Sequence, residues 1–351
     1  MAEAGKVKTG TVCLNLGKIG LGVGMDYYAL KPSFILLCGF GFSAGFLAGK
    51  DDLSLSGVQS GSERLEKAEE AEKAEEGKKS SGVPRFDLLR ARYESDEARG
   101  FNRFDGELEY REASIGGFLS KPIELGGDWR ALPFAKYSVT DLDFDGVPAG
   151  LPLRDQELHE LSLHAFLFHQ NPDSRWTYGA WGRVRFASDT QDVNGDDFFY
   201  DFGIGSGYRV NDRLLVGLAF VGLEVGRDGL YVPGPMVMWR PNDAVSVAWM
   251  GPLLISTWRV SDDWSLALRG APHGGIWNVS SGGASQDYDL RSFLVRFHTE
   301  HRIKDNLWLS LGVGYTFGGN LEVRDSSGSR LFEDNLEGGL SFSVGLRLRS
   351  W

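Results

Sequence analysis

The chain has 351 residues, with 47 Gly, 10 Trp, 11 Tyr, 22 Phe and a formal charge of −11. The aromatic content argues against a disordered chain, and the acidic balance argues against a general nucleic-acid binder, which needs a basic footprint. No apolar run of about 18 residues breaks the polar background, which excludes a polytopic helical membrane protein; a Gly- and aromatic-rich β protein remains, or a barrel whose membrane pattern is spread thinly over alternating strands.

Residues 33–48 read SFILLCGFGFSAGFLA, preceded by Lys31 and ending in small residues at Ala44, Gly45, Ala48 and Gly49. This has the form of a secretory signal. It is short of the roughly 20 apolar residues of a transmembrane helix, although a retained anchor is the other reading. A lipoprotein site at Cys38 is disfavoured by the bulky Leu37 before it. Residues 25–48 are therefore expected to be the signal peptide, starting at Met25, with 1–24 a leader or a misplaced start. The two cysteines, Cys13 and Cys38, both fall in this region. A chain cut near Ala48 has none, which suits an oxidising compartment and removes disulfides, Cys-ligated zinc and thiol nucleophiles.

Residues 49–83 are expected to be a charged spacer. Glu63/Lys67, Glu69/Lys73 and Glu75/Lys79 stand four apart with Glu first, the favoured order on a helix, and Ser62 is a fitting N-cap. Apart from Leu65 the run has only alanines to bury, so it reads as a solvated helix or a disordered tether. The composition shifts near Pro84, which marks the start of a domain spanning 84–351.

From there the period becomes two. Leu307, Leu309, Leu311, Val313, Tyr315 and Phe317 share one face; Ser310, Gly312, Gly314, Thr316 and Gly318 share the other, with Trp308 the exception. Phe198, Tyr200, Phe202, Ile204 and Tyr208 oppose Asp201, Gly203, Gly205 and Gly207. Phe293, Val295, Phe297 and Thr299 oppose Arg296, His298, Glu300 and Arg302. Trp176, Tyr178, Ala180, Val184 and Phe186 oppose Thr177, Arg183 and Arg185. Side chains alternate across a strand, so each segment has one apolar face and one polar or tiny face. Several segments exceed the usual strand length and suit a tilted membrane strand of about 9–11 residues.

The joints give a second pattern. Val210-Asn211-Asp212-Arg213-Leu214, Pro241-Asn242-Asp243-Ala244-Val245, Val260-Ser261-Asp262-Asp263-Trp264 and Ile303-Lys304-Asp305-Asn306-Leu307 carry tight-turn chemistry. Between them lie connections rich in Gly, Ser and Asp at 226–234, 270–286 and 318–337. Earlier joints at 95–103, 120–127, 145–156, 171–174 and 188–196 continue the same alternation of long and short. Only Gly251-Pro252 is short where a long loop is due. The expectation is an all-β, closed, antiparallel up-and-down transmembrane barrel of about 14 strands, or 12 if 249–258 forms no hairpin. An open sheet in lipid would leave unpaired backbone groups at several kcal/mol each, so spanning strands must close. Trp129, Trp176, Trp239, Trp249, Trp258, Trp264, Trp308 and Trp351 fall near predicted strand ends, where aromatic girdles lie. A soluble periplasmic β-sandwich is the alternative.

Residues 338–351 (GGLSFSVGLRLRSW) end on an aromatic, and Phe342, Val344, Leu346 and Leu348 alternate before Trp351. This resembles the terminal strand of outer-membrane barrels, and a bulge would bring Trp351 into register. Together with Phe144-Asp145 followed by Leu151-Pro152, the stretch 235–243 and VSDDW at 260–264, it resembles a family of Gram-negative outer-membrane barrels of unknown function. The resemblance covers 84–351. It implies an outer-membrane location, with outer-membrane lipid, lipopolysaccharide and the barrel-assembly machinery as partners; it implies no activity.

Asp141-Leu142-Asp143-Phe144-Asp145-Gly146 matches the first half of a calcium loop, but Pro152 stands where a bidentate Glu is required. A looser cation site bridging lipopolysaccharide, or a solvated outer loop, are the other readings. They apply equally to Asp189, Asp192, Asn194, Asp196 and Asp197. His159, His164 and His169 alternate faces, so no metal cluster follows. His298 with Glu300 reads as an acid–base pair or, flanked by Arg296 and Arg302, as part of a salt-bridge ladder. Neither Ser292 nor Ser310 is tied to a histidine by the sequence.

The functional expectation is a passive, porin-like channel or a structural scaffold in the cell outer membrane, exported through the signal peptide. Its lumen is expected to be lined by Arg183, Arg185, Arg291, Arg296, His298, Glu300 and Arg302. Such arginines favour anions if the bore is open. Small solutes are the expected cargo; no cofactor, metal, nucleic acid or catalytic residue is called for. An outer-membrane lipid hydrolase is the alternative function.

Overall fold

The computed structural model describes residues 87–349, apart from 172, 225–228 and 282–283. The leader, signal segment, charged spacer, boundary at Pro84 and Trp351 lie outside the described residues. Among the described residues, seventeen strands follow one another in chain order. They are β1 (Asp87–Asp96), β2 (Arg99–Gly100), β3 (Glu107–Phe118), β4 (Ile123–Gly126), β5 (Trp129–Asp145), β6 (Gln156–Gln170), β7 (Trp176–Ser188), β8 (Phe198–Asn211) and β9 (Leu214–Leu223). Then come β10 (Leu230–Asn242), β11 (Val245–Met250), β12 (Leu253–Arg259), β13 (Trp264–Ser281), β14 (Ala284–Lys304), β15 (Leu307–Asp325), β16 (Arg330–Leu336) and β17 (Gly339–Arg349).

Fourteen of them form the wall; β2, β4 and β16 are accessory pieces at its ends. Each wall strand pairs antiparallel with its neighbours, and β1 pairs with both β3 and β17, which closes the sheet on itself. The first and last wall strands are thus joined in one closed wall, so the β-sandwich alternative is excluded. The hairpin β11–β12 across Gly251-Pro252 is formed, which settles the strand count at 14 rather than 12.

The alternation places apolar side chains outside. Leu218 is 72% exposed and Ile204 56%, and Val313, Phe317, Phe342, Val344, Leu346 and Leu348 are exposed with them. In water such a continuous apolar belt forfeits about 25 cal/mol per Å² of burial. Trp129, Trp176, Trp239 and Trp264 are exposed near the short-turn end. Trp308 departs from the expected girdle: it is inward, 2% exposed, with the Arg349 guanidinium 4.5 Å over its ring.

The short turns sit where the sequence put them. Asn211 Oδ1 accepts from Arg213 N at 2.9 Å, and Asn242 Oδ1 accepts from Ala244 N and Val245 N at 2.9 Å. Three expected long loops are corrected; of 226–234, residues 230–234 already belong to β10, paired with β9. Residues 270–286 belong largely to a long hairpin of β13 with β14, paired from Trp264↔His301 to Ser281↔Ala284. Residues 318–337 hold the end of β15 and its hairpin with β16. Glycine and polar residues there read as loop, but cross-strand pairing beyond the barrel overrides that local preference.

These extensions build a hydrophobic core at the long-loop end. Leu108, Tyr110, Leu142 and Leu158 from one side of the wall meet Trp277, Tyr288, Leu290 and Leu321 from the other, so the cluster crosses the bore. The end of β13 also bridges to β7 in parallel at Asn278↔Ser188, and Asp189 N donates to Asn278 O at 3.2 Å. Five strands lie between β7 and β13 in the wall, so this contact spans the mouth. The bend that permits it falls at Gly274, with φ of 105°; a Cβ there would lie 2.1 Å from Leu290 O. Only glycine fits.

Candidate functional site

Below the roof lies a cavity of about 680 Å³ inside the barrel, in the size range of small-molecule sites. Its wall has two chemically distinct sectors. Strands β9 to β12 contribute apolar inward residues, among them Leu215, Val221, Val232, Met236, Met238 and Ile255. The remaining strands contribute charge: eight Arg or Lys and four Glu line the same cavity.

The charged sector is held by ion pairs in three groups. Glu94 accepts from Arg296 Nη1 at 2.6 Å and lies 3.3 Å from Arg92, while Asp96 Oδ1 accepts from Ser341 Oγ at 2.6 Å and Asp96 Oδ2 meets His273 Nε2 at 3.0 Å. Toward the short-turn end, Glu300 binds Arg347 at 2.5 Å, Arg269 at 3.7 Å and also Arg349; Asp87 lies 3.6 Å from Arg347 and 3.3 Å from Arg349. On the other side Asp201 binds Arg183 at 2.6 Å and Arg185 at 3.3 Å, and Glu160 lies 3.3 Å from Arg185. All these groups are inward because the strands alternate, and most pairs cross between strands, as Arg183 and Arg185 of β7 do with Asp201 of β8 and Glu160 of β6. Buried charges persist only when paired and hydrogen-bonded in this way.

The residues singled out from the sequence separate accordingly. Arg183, Arg185, Arg296 and His298 line the cavity, and Glu300 lies just beneath it among the arginines. Arg291 stands at the outer end, 2.6 Å from Asp289 and 3.0 Å from Glu224. Arg302 is at the short-turn rim and pairs with Asp263 of the β12–β13 turn. The salt-bridge ladder is the arrangement Glu300 adopts: its oxygens are taken up by Arg347, Arg349, Arg269 and Ser265 Oγ rather than by His298. Ser310 Oγ does approach His298 Nδ1, at 3.5 Å, a contact the sequence left unseen. Phe342, Val344, Leu346 and Leu348 all face outward on β17, in register with Ser95, Tyr93, Ala91 and Leu89 of β1.

The acidic stretches serve the backbone. Asp143 pairs with Arg111 at 3.0 Å on the outer face, and Asp145 Oδ1 accepts from Gly146 N at 2.8 Å; Asp141, Asp143 and Asp145 share one face of β5 and do not encircle an ion. Asp189 Oδ2 accepts from Ser280 N at 2.9 Å, and Asp197 Oδ2 from Asn194 N at 2.8 Å. Burial pushes the Asp197 carboxyl upward from its ordinary range.

The apolar sector was missed by the search for alternation. The readable trace was there: LLVGLAFVGL in β9 and MVM in β10 are apolar on both faces, so whichever face turns inward is apolar too. The partners Arg90, Arg92, Glu94, Arg269 and Arg347 were also missed, because their roles depend on cross-barrel neighbours.

No protein-family model matches the chain, and no curated protein matches it. Solved structures of similar shape are outer-membrane barrels. The translocator domain of the autotransporter NalP from Neisseria meningitidis is 13% identical, covers 82% of this chain and 96% of that one, with a TM-score of 0.32. A FadL homologue from Pseudomonas aeruginosa is 12% identical, covering 75% and 90%, with a TM-score of 0.34. The P. putida toluene transporter TodX is 10% identical, covering 75% and 90%, with a TM-score of 0.31.

Proposed function

We propose that this chain is a passive outer-membrane channel for small apolar or amphipathic solutes. The observation that carries the reading is the divided cavity. A general pore for water-soluble compounds needs a wet, continuous bore, whereas here a hydrophobic core crosses one end and ion pairs crowd the other. Between them, an apolar wall of strands β9 to β12 faces a wall with more cations than anions. An apolar body would lie along the methionine and valine side, and an anionic group, where a solute has one, would turn toward the arginines. A scaffold has no use for such a cavity. The outward face of β17 suits recognition by the barrel-assembly machinery, and the apolar belt suits outer-membrane lipid.

The test is equilibrium binding of 1-N-phenylnaphthylamine, a small apolar dye, to the purified barrel in detergent. Saturable binding is expected, with at least tenfold weaker affinity in Met236→Asp, which sets a carboxylate in the apolar wall. Planar-bilayer recordings should show no large, persistent conductance steps. Dye binding that does not saturate, or that Met236→Asp leaves unchanged, removes the reading.

A further inference from the structure

We infer that the cavity opens sideways into the membrane, through a window in the wall between β10 and β13; the inference rests on the solute-channel reading for its purpose but on wall geometry for its existence. The wall is low at one place. β11 has 6 residues and β12 has 7, against 18 in β13 and 21 in β14. At a rise of about 3.4 Å per residue and a tilt near 40°, six residues climb about 16 Å, short of the roughly 25 Å apolar band of such barrels. The tip of this hairpin therefore ends within the membrane. Gly251 N donates to Pro235 O at 3.0 Å, and a Cβ on Gly234 would lie 2.5 Å from Gly251 Cα, which fixes the tip against β10.

Above that tip both flanking strands continue with one neighbour each. Among the described residues, β10 over 230–233 pairs only with β9. Pairing of β12 with β13 stops at Leu254↔Gly270, so β13 over 271–277 pairs only with β14. With β11 and β12 ended, a gap of about three strand spacings, roughly 14 Å, separates these edges. The bridge from β13 to β7 and the hydrophobic core cover the top, so the remaining way out is lateral.

The prolines confirm that these are edges. Because Pro235 O receives the Gly251 N–H, the backbone groups of Pro235 and of Pro233, two residues away, point to the β11 side. Trp264 O receives the Val260 N–H, so even-numbered positions of β13, Pro272 included, point to the β12 side. All three prolines thus aim their missing N–H at the gap or its lower margin. A bare N–H in lipid costs several kcal/mol, and proline has none to leave unpaired. The cavity lining agrees: it includes Met250, Pro252 and Leu253 at the hairpin tip, and Leu254 and Phe293, which flank Gly270 on the outer face.

The test uses the full chain in phospholipid vesicles, with Cys13 and Cys38 replaced by Ser. A bimane label is placed at Val232→Cys, inward beside the gap, or at Ala219→Cys, inward on the same wall beside a continuous one. Lipids brominated on their acyl chains should quench the first label at least threefold more than the second. Equal quenching overturns the window, whatever any solute does. In the second arm, Val232→Trp/Ala271→Trp fills the gap from both edges, and retained heat-modifiable migration on gels reports folding. Transfer of the naphthylamine dye from vesicle lipid into the cavity should slow at least tenfold, beyond any change in its equilibrium affinity measured in detergent. Unchanged transfer also overturns the window. Selective quenching with no dye binding would leave the window standing and remove the solute-channel reading instead.

Discussion

The two sectors of the lumen are built by opposite rules. On the charged side each inward group is placed by a partner on another strand, often far along the chain: Arg296 meets Glu94 across 202 positions, and Ser341 meets Asp96 across 245. On the apolar side, Met236, Met238, Val221 and Ile255 need only volume and hydrophobicity. The charged sector is therefore intolerant of single deletions and keeps the bore in one shape, while the apolar sector can yield to a guest. On the proposed solute-channel reading, rigidity on one side and adaptability on the other would suit solutes of varied outline.

The comparison breaks first at Glu300. Glu300→Ala leaves Arg347, Arg349 and Arg269 facing one another, and breaking a buried pair in this way costs about 3–5 kcal/mol. Urea titration of the folded barrel in detergent should show that loss; an unchanged midpoint would mean the ladder is decorative. Outside the apolar sector, Leu218→Arg places a cation on the exposed apolar belt. A loss of about 2–4 kcal/mol in lipid vesicles is expected for a site at mid-membrane depth. A neutral result there would falsify the membrane assignment of this face.

Gly274→Ala attacks the bend that lets β13 cross the mouth. Its positive φ and the 2.1 Å approach to Leu290 O predict a loss of about 1–3 kcal/mol. The same variant should raise proteolysis at the long-loop end, which limited digestion would reveal. In the apolar sector, Met236→Leu keeps volume and should cost less than about 1.5 kcal/mol, while shifting dye affinity measurably. The smallest effect is expected for Arg302→Ala, which removes a rim pair with the exposed Asp263 and costs about 0–1 kcal/mol by the same denaturation assay.

Much of the barrel was legible before any coordinates, because alternation and tight-turn residues are local properties. The turns at Asn211 and Asn242 stand where their side chains place them. The errors are equally instructive. Residues 270–286 read as a loop because they are rich in Gly, Ser and Asp, yet they pair along a hairpin that outgrows the barrel. Trp308 read as a girdle residue because it lies at a strand end, but it turns inward beneath Arg349. Arg302 read as lumen-lining by parity, and its length carries it to Asp263 at the rim instead.

What the sequence determined by itself was the repeating unit: strand length, the face each side chain takes, and the order of turns, since all follow from backbone geometry within a few residues. Tertiary structure decided which charges meet across the bore, that β13 reaches β7 over the mouth, and that the wall dips at β11 and β12. Those outcomes depend on the height and stagger of strands brought together by closure, and no local stretch of chain contains that information.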